Sequence, residues 1–555
     1  MIENKPPVPA IEVKKDKGTS PHLENSNLKK SFGSLLERAE VHKHQLDLNL
    51  INTRLWMDEL SKKYNRAVTI DTIPENEWEE LLDKYDMFWF MGVHAPSGAS
   101  KNHAQNWAHQ YEYALPGLDK DKDVVSSPFS IPRYSPNPQI AKSWKEWDKM
   151  KSMLNGKGKE VILDFVPNHT ALDNPWVMRH PEYYVQGSKD DYENNKNLFH
   201  HVRANDGKDY YLAHGKDPNY PEWADTLQLN YARKDVQEKM QGVLMELAKH
   251  SDGVRCDMAM LLDASTFLRT WGWLLSDKEK EYISQNEFWE KTIPMIKESV
   301  TEKGDRPFHF IAEAYWDKEE LGKNFDFIYR KDFYDHLKKV KDGEADPGSL
   351  TKHLQYLIER ANNERHYRDV LFVENHDEER AKATFGEEAS GAAAVLAGLI
   401  PDSIFLVNQG QPEGKEIRPP MQIGRWPNET PNENLKNQYE KLLLLKHTNL
   451  FENGKWSTFE IDALPPDIHA IRVEAPTYDR ERDDSDEYKL GAIVLVNFSK
   501  YENTGHLPQI NKDYELEVQS LSEGVIPNPD MERIGGTFIK LKPWETQMIF
   551  YSKIN

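Results

Sequence analysis

The chain has a single cysteine, Cys256, so no intrachain disulfide can staple it. It has no stretch approaching the roughly 18 consecutive apolar residues of a membrane-spanning helix. Its first residues, MIENKPPVPAIEVKK, contain no apolar run of the kind that directs secretion. A cytoplasmic location is the simplest reading, and a mature secreted chain that has lost its signal is the alternative. Positive charge is also in short supply, and the net charge is −21. Nucleic acids and anionic membrane surfaces both call for basic patches, so neither is expected as a partner. Neither an internal repeat nor a long low-complexity segment is visible.

What is present points to a large packed protein. A length of 555 residues exceeds one ordinary core and implies two or three domains. Fifteen Trp, 24 Tyr and 21 Phe suit a globular interior, and the flat rings suit the C–H faces of sugars. Residues 1–45 are rich in Lys, Pro, Ser and Asn and are expected to be partly disordered, with one short helix over Ser34 to Lys43. From residue 46 onward, apolar runs alternate with helical stripes. Strands are expected at Leu46 to Asn52, Met87 to Val93, Val161 to Val166, Gly253 to Asp257, Phe308 to Ala314, Phe325 to Ile328, Val370 to Glu374 and Ser403 to Val407. Such alternation predicts a parallel sheet, open or closed. Residues 170–231, rich in Asn, Asp, His and Tyr, read as a functional loop or inserted subdomain. After a helix over Leu435 to His447 the texture changes to short alternating strands, so residues 452–555 are expected to form an antiparallel β domain, a β-sandwich. The acidic run Asp479 to Glu487 reads as a solvated hairpin tip.

Cleaving a glycosidic bond takes two carboxyl groups, one to protonate the leaving oxygen and one to attack or stabilise the anomeric carbon. Four apolar runs end in candidate groups: VILDFVPNH with Asp164, Asn168 and His169; DGVRCD with Arg255 and Asp257; FHFIAEAYW with Glu313; and VLFVENHDEER with His376 and Asp377. Taken singly, each is weak, because a carboxylate after a strand often caps a helix or joins an ion pair. Arg255 and Asp257 are two residues apart on one strand and so face the same side, while Cys256 faces away into the core.

In order and spacing these segments resemble the signature segments of the α-amylase family of glycoside hydrolases. The resemblance covers roughly residues 46–555. It implies an α/β fold: a (β/α)8 TIM barrel over 46–451, a subdomain inserted after strand 3 (170–231) and a C-terminal antiparallel β domain. It also implies a retaining α-glycosidase acting on α-glucan or maltooligosaccharide-like substrates. Asp257 is then the nucleophile, Glu313 the general acid and base, and Asp377 the group that grips the sugar ring. Arg255, His169, His376, Asn168 and Tyr134 are implied at the substrate site, with Asp164 and Asn168 shaping the loop and Trp223 and Trp316 as further lining candidates. Arg255 is expected to lower the pKa of Asp257, and apolar neighbours to raise that of Glu313.

One departure bears on metal. After Asp257 the chain reads MAMLLDA, without the Lys-His pair that many members of the family carry beside a calcium site. One Asn does not make a hard-cation cage of six to eight oxygens. No cofactor is expected, with calcium through Asn168 left as the alternative, and the adjacent His200 and His201 are not expected to hold a metal. The same residues also serve an α-glucosyltransferase or phosphorylase-like member of the family. A catalytically silent carbohydrate-binding protein is the reading from another class. Oligomeric state is left open.

Overall fold

A computed structural model describes residues 46–302, 306–363, 366–458, 464–475, 490–507, 514–521, 524–525 and 537–553. The expected helix over 34–43 and the acidic run 479–487 lie outside them. Eight strands close into a parallel barrel: β1 (Leu46–Asn52), β2 (Met87–Met91), β3 (Glu160–Phe165), β4 (Gly253–Cys256), β5 (His309–Ala312), β6 (Phe327–Tyr329), β7 (Arg368–Leu371) and β8 (Ser403–Asn408). The strands follow one another around the ring, and β1 pairs with both β2 and β8. All five residues of β2, MFWFM, are buried. A strand covered by helices outside and by side chains inside has no wet face, which is why its sequence does not alternate. No helix among the described residues is long and apolar enough to cross a membrane.

Register sets the site. Asp164 pairs with Arg255 across β3 and β4, and Cys256 pairs with Ala312 across β4 and β5. Asp257 and Glu313 are therefore the next residues beyond a matched pair, at the C-terminal rim where barrel enzymes carry their chemistry. β7 is shorter than its apolar run: it ends at Leu371, and Phe372 and Val373 are fully buried beyond the paired segment.

Three loops rise above this rim. After β3, Thr226–Gln228 pairs antiparallel with His169–Ala171 to form a neck, and Gln186–Gly187, Asp209–Ala213 and Phe199–Arg203 make a small three-stranded sheet. Two more long loops follow β2 and β8. Beyond the barrel, β9 (Lys455–Thr458), β10 (Ile468–Glu474), β11 (Leu490–Asn497), β12 (Asn503–Leu507), β13 (Tyr514–Ser520), β14 (Gly524–Val525), β15 (Thr537–Leu541) and β16 (Thr546–Lys553) build a six-stranded sheet in the order β9-β10-β11-β16-β13-β14 and a two-stranded sheet of β12 and β15. Ile468, Ile493, Leu495, Leu507, Ile539 and Leu541 share one core, while Ile471, Val473, Val494 and Phe550 join the core of the barrel.

The opposite, N-terminal end of the barrel is tied to the chain beyond β8 by charge. Asp47 of β1 is fully buried and pairs with Lys446, and its other oxygen lies 3.1 Å from His447 Nε2. His447 also lies near Asp86 and Glu452, and Asp86 is 3.5 Å from Lys159. Burial alone would lower the pKa of His447, but the surrounding carboxylates outweigh it and raise the pKa to about 10. A raised folded-state pKa gives stability that is fully present below the unfolded value and lost as pH rises through the folded one. We therefore expect the unfolding free energy, measured by denaturant titration, to fall between about pH 6.5 and pH 10. His447→Gln should be less stable at pH 6 and should flatten that slope.

Candidate active site

Arg255 is fully buried at the centre of the rim. Its Nη1 lies 2.7 Å from Asp257 Oδ1, and its Nη2 lies 2.6 Å from Glu313 Oε2. Asp164 Oδ1 is 3.9 Å from Nη1 and accepts a hydrogen bond from Trp89 Nε1 at 3.0 Å. The guanidinium carbon sits 5.0 Å from the Trp89 ring centre, 5.2 Å from Phe129 and 5.9 Å from Tyr329. These rings exclude water and favour the cation through their negative faces. One strand-borne charge thus gathers groups from β2, β3, β4, β5 and β6.

Glu313 is held by further donors. Tyr315 Oη donates to Oε1 at 2.6 Å, and the Met258 N–H donates to Oε2 at 2.8 Å. Met258 is in the left-handed region at φ 44°, a conformation a side chain of its size rarely adopts outside a functional turn. That turn, directly after Asp257, is what aims its N–H at Glu313.

Asp377 is presented from the loop after β7. Asn375 Oδ1 accepts from the backbone N–H groups of Asp377 and Glu378 at 2.9 and 3.0 Å, an Asx-type turn. Beneath it, Glu374 and Arg380 form a buried pair at 3.1 Å, and Glu374 also accepts from Asn408 Nδ2 at 2.9 Å. The Asp377 side chain is about one-third exposed, whereas those of Asp257 and Glu313 are nearly sealed. His376 stacks on Phe129 with ring centres 5.1 Å apart; its Nε2 lies 3.1 Å from Asp377 Oδ2 without hydrogen-bonding alignment, and neither ring nitrogen has a hydrogen-bond partner among the described residues. His169 packs against Trp223 at 5.1 Å.

Burial raises the pKa of Asp257, Glu313 and Asp377, and Arg255 opposes it in each. The expectation that Arg255 sets the direction at Asp257 is therefore corrected: the guanidinium acts as anticipated, but desolvation is larger. Burial carries Asp164 up to about 7, despite Arg255. Burial lowers His376 to about 3 and His169 to about 4, so both are neutral imidazoles at physiological pH.

The remaining candidates are placed as follows. Tyr134 is half-buried; its hydroxyl accepts from the Val166 N–H and donates to the Val166 carbonyl, both at 3.0 Å, and its ring packs edge-on against His94. Its polar end thus braces the strand end after β3. Asn168 Oδ1 accepts from Gln228 Nε2 at 2.9 Å, and the Asn168 carbonyl accepts from the same nitrogen. An oxygen facing an amide N–H does not fit a calcium cage. Among the described residues, the one cluster with metal-ligand spacing is Asp47, Asp86 and His447, at the far end of the barrel beside Lys446 and Lys159. Trp316 Nε1 lies 3.3 Å from Thr266 Oγ1. Trp89, Phe129, Tyr315 and Tyr329 were not singled out from sequence as partners of the site. Tyr315 alone had a local signal, since position +2 puts it on the same side as Glu313.

Residues 143–416 match the family model described as "Alpha amylase, catalytic domain". The chain is 25% identical over 324 residues to "Alpha-amylase 3" of Dictyoglomus thermophilum, covering 56% of this chain and 58% of that protein. It is 23% identical over 363 residues to "Alpha-amylase MalA" of Haloarcula japonica, covering 65% and 46% respectively. The chain thus spans about half the length of these curated relatives. An α-amylase structure from Lactobacillus plantarum superimposes with a TM-score of 0.62 at 16% identity, covering 91% of this chain and 98% of that one, which establishes the shared fold. Residues 143–416, which include the rim segments that carry Asp164, Asp257, Glu313 and Asp377, thus match an α-amylase catalytic domain, and the chain is similar to α-amylases in sequence and in fold.

Proposed function

We propose that this protein is a retaining α-glycosidase acting on α-glucan or maltooligosaccharide-like substrates through a covalent glycosyl-enzyme intermediate. The observation that carries this reading is the bridging of Asp257 and Glu313 by the two amino nitrogens of one buried guanidinium. Such a bridge favours the short carboxyl spacing, roughly 5 Å, at which one group attacks directly and no water fits between.

Asp257 attacks the anomeric carbon while Glu313 gives its proton to the leaving oxygen; Glu313 then takes a proton from the water that releases the sugar. The four carboxyl groups Asp164, Asp257, Glu313 and Asp377 gather around the Arg255 guanidinium in a dry site, where desolvation favours retention of a proton. In this reading Glu313 holds it, as the group that delivers a proton to the leaving oxygen. Asp377 and the neutral His376 and His169 hold ring hydroxyls, a grip that assists the reaction to the extent that it tightens in the transition state.

Asp257→Asn should abolish turnover of both maltotriose and an activated aryl α-glucoside. Glu313→Gln should cost ~10²–10⁴-fold on maltotriose but far less on a dinitrophenyl α-glucoside, whose leaving group needs no proton. Proton NMR of the first product should show the α-anomer; a β-anomer would refute retention. Tyr315→Phe supplies a pH test. Its hydroxyl stabilises the ionised form of Glu313, so its loss should raise the Glu313 pKa further and move the alkaline limb of kcat/KM to higher pH. An unmoved limb would separate Glu313 from the acid role.

A further inference from the structure

The loops after β2 and β8 meet above the barrel and are fastened together. Arg425 makes a two-point pair with Asp123, Nε to Oδ1 at 2.8 Å and Nη2 to Oδ2 at 3.0 Å. Such forked pairing fixes orientation as well as distance. Val124 and Ile423 form an antiparallel bridge, with the Val125 N–H donating to the Gln422 carbonyl and the Gly424 N–H to the Asp123 carbonyl, both at 2.8 Å. Leu55, Ala114, Leu115 and Ile423 form a separate small apolar core under this junction.

Arg54 ties the junction to the barrel. It follows β1, is 9% exposed and feels the Asp164 charge without a close ion pair among the described residues. Nη1 donates to the Ser126 carbonyl at 2.6 Å and Nη2 to the Met421 carbonyl at 3.2 Å, one from each loop. A buried guanidinium directed at two loop carbonyls makes sense only if those loops stay in place. Gly92, at φ 81°, leaves it room: a Cβ there would come within 3.1 Å of Arg54 Nε.

The strap reaches the sugar site. Arg418 Nη1 donates to the Asp377 carbonyl at 2.5 Å, and Tyr113 Oη donates to the Arg418 carbonyl at 3.1 Å. A small cavity beside His376 is enclosed by Asn52, Met91, Arg418, Met421 and Trp426. Strands β8, β1 and β2 are neighbours around the closed ring, and β5, which carries Glu313, lies across from them. Glu313 protonates the leaving oxygen, so the leaving group departs on its side, and the strap walls the site beyond the glycosyl ring.

Resting on the glycosidase reading above, we infer that the strap closes the glycosyl side of the cleft, so that the site takes only the terminal, non-reducing glucosyl unit of a short α-glucoside and removes one unit at a time. Asp123 and Arg425 are specificity-determining residues that touch no reacting atom.

The test compares the full-length chain on p-nitrophenyl α-maltoheptaoside with a free non-reducing end and on the same compound blocked there by a 4,6-ethylidene group, with products resolved by chromatography. The free chain should shorten by single glucose units, and the blocked chain should react ~100-fold more slowly or less, the scale on which a few extra atoms are refused by a closed pocket. Arg425→Ala and Asp123→Ala should each raise the blocked-to-free rate ratio. Equal rates on the two substrates with internal cleavage products would overturn the strap inference and leave the glycosidase reading intact. Inertness toward the free chain, maltotriose and aryl glucosides alike would overturn the glycosidase reading and this inference with it. The wild-type ratio decides the matter even if a variant fails to fold.

Discussion

Arg255 is the constraint on which the site depends. A guanidinium with no exposed surface carries a desolvation cost of several kcal/mol that only well-placed partners offset. Its partners come from around the rim: Trp89 from β2, Phe129 from the loop after it, Asp164 from β3, Asp257 and Glu313 from just beyond β4 and β5, and Tyr329 from β6. None of these groups is near Arg255 in the chain except Asp257. The charge is therefore satisfied only when five strands stand in register. Folding the barrel and assembling the site are, at this point, one event. Removing one partner of such a group costs roughly 3–5 kcal/mol, because the other charge is left buried and unpaired.

The same centre divides labour among chemically similar residues. Asp257 and Glu313 are both buried carboxyls touching Arg255, and burial pushes both upward. What separates them is their neighbours. Asp257 has an aligned hydrogen bond from Nη1, whereas Glu313 lies against Nη2 without hydrogen-bonding alignment and is held instead by Met258 and Tyr315. The two carboxyls thus share one cation, and burial favours a proton on the pair. The histidines stay out of this exchange, because burial beside a fixed positive charge keeps His376 neutral.

Much of this was legible in the sequence because it is local. Buried strands appear as unbroken apolar runs, and a carboxylate directly after one is at a rim by construction. The β7 run misled by three residues, since Phe372 and Val373 are buried by the loop above without being paired, and burial alone looks like strand. The insert read as irregular because it is polar, yet its small sheet carries the cross-strand pair His201 on Tyr211, with Tyr192 of the adjoining helix stacked on the same tyrosine. What sequence did not offer were contacts between distant residues. Nothing around Arg54 announces Ser126 and Met421, and nothing around Asp123 announces Arg425. Tyr134 was marked for its ring, but its hydroxyl is directed to a backbone 32 residues away.

The two ends of the barrel show how a structural ion cluster differs from a working one. At the N-terminal end Asp47, Asp86 and Glu452 meet Lys446, Lys159 and a His447 held protonated, three negative charges against three positive. In such a cluster the Lys446 and His447 charges hold the Asp47 carboxyl low, and the carboxylates hold His447 high, so both stay charged near neutral pH. At the C-terminal end Asp164, Asp257, Glu313 and Asp377 share Arg255, with Arg54 acting on Asp164 and Arg418 and Lys331 on Asp377, yet burial displaces the carboxyls toward neutrality. Both clusters set buried carboxyls against buried cations, so buried charge alone does not tell them apart. The direction of the displacement does: a carboxyl is poised to retain a proton only where desolvation outweighs the cations that oppose it.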